Sequence, residues 1–288
     1  MQKRNATVAI IGAGDFIGSE IAKKFAANGF TVFVGRRNGE KHAPLQEQIK
    51  VAGGVTFGRS LDARTEDKIA AFRSEADAHA PLEVCIFNIG ANVRVPIVDA
   101  TGRAFRKVWE MECYSGFLAG RETARLMLPR GTGHIYFTGA TASLRGGAGY
   151  AAFASAKFGL RAVAQAMARE LWPKNIHVAH LVIDSGVDTQ WVRDRIKENE
   201  GEEGLQDIDP DRLTPPSQKA TGASTISPAP PGCSSRKFDH MARSGEGRIR
   251  QVANAARQIQ IAGHTKSQRG RQPALQGRMN IQIISDRR

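Results

Sequence analysis

Apolar residues along the first 190 positions follow two alternating patterns. Short continuous runs at 7–11, 30–35, 55–57, 84–87, 134–138 and 176–183 read as strands buried on both faces. Between them lie stretches with apolar residues every three or four positions, the spacing of a helix with one buried face. These are 17–28, 43–52, 65–79, 98–128 with a break near Thr101-Gly102, a stretch through Phe153 and Lys157 to about 172–173, and 190–200. Asn28-Gly29 is a helix stop, Thr65 an N-cap over Glu66-Asp67, and 129–133 a turn. Strand and helix in alternation predict an α/β fold, a doubly wound parallel sheet in a three-layer αβα sandwich. No internal repeat is visible. His79, at a helix end before Pro81, reads as structural, as do His134 and His177 beside strands.

The first strand runs straight into Gly12-Ala13-Gly14-Asp15-Phe16-Ile17-Gly18 and then a helix. Gly12 permits a tight turn, Gly14 lets the backbone approach a pyrophosphate, and Gly18 lets the helix pack against the strand. The helix N-terminus then offers N–H groups to phosphate. In this strand–helix setting the loop predicts dinucleotide binding of the Rossmann type, against the alternative of an ordinary glycine turn. The second strand ends in Arg36-Arg37 where an NAD enzyme usually carries an acid. Guanidinium groups suit a 2′-phosphate, which favours NADP over NAD. The alternative is a pair of solvated surface arginines.

The stretch 139–157 opens with small and hydroxyl residues, passes through glycines and enters a helix on which Phe153 and Lys157 share a face. With the glycine loop before it, this stretch resembles the catalytic helix of the short-chain dehydrogenases/reductases. The resemblance covers about two-thirds of the chain. It implies that Asp62 holds the adenine amino group, that Asn88-Ile89-Gly90 borders the cofactor, and that Val187 and Thr189 hold the nicotinamide carboxamide. Asp184 and Ser185 stand where the family has Pro-Gly. Lys157 takes the family's lysine position, as a ribose ligand that lowers the pKa of a phenol. The other three catalytic positions differ: Phe153 for the tyrosine, Ala140 for the serine and Cys113 for the asparagine. Phenylalanine has no proton to give. Tyr150, one helical turn before Phe153, is a substitute donor, with helix-start packing as its alternative. Thr141 and Ser143 are substitutes for orienting a substrate. Cys113 is a nucleophile only with a depressed pKa, and otherwise a buried packing thiol. The resemblance also implies a homodimer or homotetramer built through the helices around 105–128 and 150–172. Core packing on the sheet is the simpler reading of those helices.

Composition narrows the partners. The net charge is +13, but residues 213–288 carry 13 Lys/Arg against 3 Asp/Glu, which leaves 28 against 25 in the body. A nucleic-acid footprint would be a basic face on the folded domain, so no nucleic-acid partner is expected. No run of 18 apolar residues suggests a membrane span. Three cysteines without ligand spacing predict neither disulfides nor a metal site, and a cytoplasmic setting is the default.

After Asp211 the composition turns to Pro, Ser, Gln, Gly and Arg. The expectation is a domain over 1–212 that lacks its last strand, followed by a basic low-complexity tail over 213–288. The genetic code suggests more. With synonymous codons chosen freely, Ser227 to Glu246 can be read in a shifted frame as PRSAWMFEPEVRPYGEKW and a stop, a helix and aromatic strand of the kind that would close the sheet. Residues from about 213 onward then read as out-of-frame translation. Two functions remain on the sequence: an NADP-dependent oxidoreductase acting on an unknown carbonyl or alcohol with an altered proton donor, or an NADP-binding protein without turnover.

Overall fold

The computed structural model describes residues 3–183 and 186–203, and the backbone of 213–214 and 281–282. The rest of the tail, including the whole shifted-frame string, lies outside the described residues, as do Asp184 and Ser185. Six strands pair in parallel: β1 (Thr7–Ile11), β2 (Thr31–Arg36), β3 (Val55–Ser60), β4 (Leu82–Phe87), β5 (Gly133–Ala140) and β6 (Ile176–Ile183). Their spatial order is β3-β2-β1-β4-β5-β6. The order reverses beside β1, which makes the carboxyl ends of β1 and β4 a topological switch point.

Period-2 alternation sends neighbouring residues of each strand to opposite faces. Ala9, Ile11, Phe33, Phe87 and Phe137 meet helices α3 (Glu66–His79), α5 (Ser115–Met127) and α6 (Ala151–Leu171) through Phe72, Leu118 and Leu160. Val8, Ile10, Val32 and Ile86 meet α1 (Ile17–Ala27) and α2 (Ala43–Val51) through Ile21, Phe25 and Ile49. The expected three-layer sandwich is thus present, with one core on each side of the sheet.

Several boundaries differ from expectation. β3 continues through Gly58-Arg59-Ser60, because its backbone pairs with β2 as far as Arg36↔Ser60. The helix expected from 98 begins at Gly102 as α4 (Gly102–Trp109), capped by the Thr101 hydroxyl, which accepts from the Ala104 amide. It is interrupted by a π-turn at Glu110–Tyr114 before α5. Thr65 precedes α3 in extended conformation, but its side chain makes no cap bond. A lid-side helix follows as α7 (Gln190–Glu200), after the two-residue β7 (Gly186–Val187) that pairs with β8 (Leu213–Thr214). The expectation of an uncovered last edge is corrected at one point. A two-residue strand, β9 (Ile281–Gln282), lies antiparallel to β6 at His180 and Leu181, where backbone groups of an edge strand are open to any extended segment.

Histidines are built into this core uncharged. Burial pushes His42, His134 and His180 down to about 4, with neighbouring positive charge adding to the effect at His42 and His180. His134 also stacks on His177, whose pKa burial lowers too. The unfolded chain takes up protons near 6.5 that the folded chain refuses down to about 4. Stability is therefore constant above about pH 6.5. Between there and pH 4 each of the three rings lowers stability by about 1.4 kcal/mol per pH unit, about 4 kcal/mol per unit together. Urea melts at pH 7.5 and 5 check this; equal midpoints would show that these rings titrate normally.

Candidate active site

A cleft of about 1290 Å³ opens at the carboxyl ends of β1, β4 and β5. Its floor is the glycine loop. Gly12 has φ +92°, and a Cβ there would lie 2.7 Å from the Asn88 carbonyl oxygen. A Cβ on Gly18 would lie 2.6 Å from Ala13 Cα, so helix and loop touch backbone to backbone. Gly14 has nothing within 4 Å of where its Cβ would be, which leaves an open cradle at the start of α1. Phe16, the N-cap of α1, makes no side-chain cap bond, so the protein's own cap does not occupy the helix N-terminus. Phe16, Ile17 and Gly18 line the cleft with it. Asn88 ties the end of β4 to this loop: its amide donates to the Ile11 carbonyl at 2.8 Å and its Nδ2 to the Gly12 carbonyl at 3.1 Å. A dinucleotide's pyrophosphate fits this cradle, and Ile89 and Gly90 continue the same wall.

The rim beyond β2 is cationic. Arg36, Arg37 and Lys41 line it with Asn38. Asp15 stands just outside the lining and pairs with Arg36 at 2.5 Å, and that hydrogen bond holds its carboxyl below the usual range. Asp62 lines the cleft, but its carboxylate is gripped by Arg64, with Nε at 2.9 Å and Nη2 at 2.6 Å, which holds it down to about 2. Lys41, Asn38, Arg64 and Arg145 were missed in the sequence. Asn38-Gly39 with Lys41 just after was the available signal for the first two.

At the inner end, Lys157 is buried, and its Nζ donates to the carbonyls of Ile89 and Thr138, both at 3.0 Å. Phe153 and Ala140 line the cleft beside it, with Nζ 5.9 Å from the Phe153 ring centre. Tyr150 lines the same wall as the N-cap of α6, its ring centre 6.4 Å from that of Phe153. Thr141 is also in the lining. Ser143 is not brought there. A 3₁₀ turn over Thr141–Ser143 rotates it into the core, where its hydroxyl accepts from the Ala140 amide at 3.2 Å and lies 3.4 Å from His180 Nε2. Val187 and Thr189 line the opposite wall, the Thr189 hydroxyl accepting from the Val192 amide at 3.2 Å as the cap of α7. Cys113 is buried, and burial pushes its thiol up, which fits packing and not nucleophilic attack. Among the described residues no cluster of His, Cys, Asp or Glu could hold a metal ion.

A glycine cradle at a switch point, a cationic rim and a buried lysine define a dinucleotide-binding domain. The short chain dehydrogenase family matches residues 6–200. A short-chain dehydrogenase from Rhodopseudomonas palustris superposes with TM-score 0.66 at 60% identity, covering 79% of this chain and 93% of that one. The 3-oxoacyl-[acyl-carrier-protein] reductase MabA of Mycobacterium tuberculosis is 26% identical over 215 residues, 74% of this chain and 82% of its own length. A metagenomic short-chain oxidoreductase in complex with NADP shares the fold, with TM-score 0.64 at 22% identity over 79% of this chain and 93% of its own. The chain belongs to the short-chain dehydrogenase family, a class of NAD(P)-dependent oxidoreductases.

Proposed function

We propose that this chain is an NADP-dependent oxidoreductase that moves hydride between the nicotinamide and a small carbonyl or alcohol substrate, with an altered proton donor. The observation that carries the reading is the cleft itself. The glycine cradle and Arg36, Arg37 and Lys41 stand at one end, and the buried Lys157 at the other. Bound NADPH supplies the hydride. Gly14 and the start of α1 hold its phosphates, Asp62 faces its adenine, Lys157 its nicotinamide ribose, and Val187 and Thr189 its carboxamide. Of the hydroxyls singled out in the sequence for proton transfer and substrate orientation, Tyr150 and Thr141 line the cleft; Ser143, turned into the core, does not.

Phe153 and Ala140 favour a second reading, an NADP-binding protein without turnover. Cofactor fluorescence titration followed by a carbonyl panel separates the two. NADPH binding tighter than NADH, with loss of NADPH absorbance on at least one substrate, is expected. Binding without loss across the panel selects the second reading, and equal affinity for the two cofactors sinks the NADP assignment.

Exposed aromatic residues support the homodimer or homotetramer. Trp109, Tyr114 and Phe117 on α4, the π-turn and α5, and Phe158 on α6, each expose more than a third of their surface. No helix among the described residues is long and apolar enough to cross a membrane, and a cytoplasmic location remains our proposal. So does the out-of-frame origin of the tail from about residue 213, which rests on the shifted-frame string in the sequence. A gene sequence with no shifted open frame restoring the closing strand would end that idea.

A further inference from the structure

The π-turn at Glu110–Tyr114 sets which side chain meets Lys157. A π-turn inserts one residue into the helical ladder and rotates its neighbours by about 100° relative to an unbroken α-helix. Cys113, at the family's asparagine position, is thereby turned onto α6. A Cβ added to Gly159 would lie 2.6 Å from its Sγ. Glu112 takes the place against the lysine. It is fully buried, its Oε1 accepts the Ala91 amide, and its Oε2 lies 3.3 Å from Lys157 Nζ. Among the described residues Oε2 makes no hydrogen bond. A carboxyl taken wholly out of water costs several kcal/mol unless a charge or proton answers it. Here only Lys157 can, and Lys157 lines the cleft.

We propose that Glu112 is the positioning and proton-exchanging partner of Lys157, serving the proton path that Phe153 leaves without a donor. The proposal rests on the oxidoreductase reading. In the exchange one N–H bond of Nζ breaks as one O–H bond forms at Oε2. Ammonium and carboxylate become amine and carboxylic acid, with the pair's net charge unchanged and no electron moved. During reduction the pair stands as ammonium and carboxylate, and the substrate oxygen, holding the former carbonyl π pair, takes a proton from Nζ. The amine and carboxylate left behind take one proton from water at Oε2, the water leaving as hydroxide, and the exchange run in reverse carries that proton to Nζ.

The surroundings leave this exchange to the pair. Burial raises the Glu112 pKa, and the Lys157 charge and the Ala91 amide oppose the rise. Cys113, adjacent on the π-turn, is raised by burial and by Glu112. His180 on β6, facing Lys157 and Arg161, is held down to about 4. Thiol and imidazole therefore both stay neutral across the middle of the pH range. From β4 and β5 the pair meets only backbone, the carbonyls of Ile89 and Thr138 and the Ala91 amide.

Infrared titration of the full chain without cofactor is the first test. A protonated-carboxyl band titrating above the ordinary glutamate value of about 4.3 is expected, and it disappears in Glu112→Gln. That variant still accepts the Ala91 amide. On the best carbonyl substrate, Glu112→Gln should lower kcat about tenfold with KM nearly unchanged and flatten the pH profile, while Glu112→Asp restores part of both. A wild-type spectrum without the band, or a Glu112→Gln enzyme with the parental kcat and pH profile, overturns the proposal. If the band behaves as expected but no carbonyl is reduced, the exchange stands and the oxidoreductase reading fails.

Discussion

Phe153→Tyr raises carbonyl reduction by about 10²-fold, the low end of what a positioned general acid contributes. The position is already part of the site. Phe153 lines the cleft, and Lys157 Nζ lies 5.9 Å from its ring centre. A hydroxyl at the para carbon extends further into the cleft than any atom of the phenylalanine. The ammonium beside it favours phenolate and draws the phenol below its ordinary pKa of about 10. The gain should appear in kcat, since the phenol acts on oxygen only as charge develops there. The assay follows NADPH absorbance at saturating cofactor, with Phe153→Leu as the control that changes shape but adds no proton. Adding Ala140→Ser tests whether the second vacant position compounds the first. No gain from Phe153→Tyr would mean that the substrate oxygen lies out of reach of this position and takes its proton from another group of the wall.

That outcome bears on the proposed change of proton donor in the catalytic half of the site. Residue by residue, Ala140, Phe153 and Cys113 look like three separate losses. In space, the residue facing Lys157 from the π-turn is Glu112, and Ser143 is bonded to His180 behind the wall. The inner wall pairs Lys157 with Glu112, a residue to which the sequence reading assigns no role. An acid between Met111 and Cys113, in a stretch otherwise read as core, was the visible signal. Its meaning depends on the inserted residue of the π-turn, and a 3.6-residue period does not reveal an insertion.

The sheet was more legible than the site for a related reason. β1, β4 and β6 are buried along most of their length, so their residues are mostly apolar, and a near-continuous run announces them. β3 is an edge strand, and its second half, Gly58-Arg59-Ser60, is held by backbone pairing with β2, to which hydrophobicity contributes nothing. Gly58 is small because a Cβ there would lie 2.8 Å from His42 Cβ. The glycine loop was readable because Gly12, with φ +92°, and Gly18, whose Cβ would lie 2.6 Å from Ala13 Cα, answer backbone demands that no other residue meets. Side-chain partners were not. The Arg36–Asp15 pair joins two residues that the sequence presented as separate cofactor ligands, and Asp62 pairs with Arg64, to which the sequence reading gave no role.

Those pairs decide the second large effect. Arg36→Ala with Arg37→Ala lowers NADPH affinity by about 10²-fold or more and leaves NADH within a few-fold. A charge-assisted hydrogen bond to phosphate contributes roughly 1.5–3 kcal/mol, about ten- to a hundredfold in affinity. The two arginines should not contribute equally. Arg36 already spends part of its charge on Asp15, whereas Arg37 is exposed on the cleft rim and carries no ion pair among the described residues. Arg37→Ala alone should therefore cost more than Arg36→Ala alone. Asp15→Asn should move the other way, releasing Arg36 and strengthening NADPH a few-fold without changing NADH. Raised salt should narrow the NADPH preference of the parent, because the rim is open to solvent and its charges are screened. Fluorescence titrations of both cofactors against the parent and the four variants read all of these. An unchanged NADPH to NADH ratio in the double variant would place the 2′-phosphate elsewhere, with Lys41 and Arg64 the next cations along the same rim.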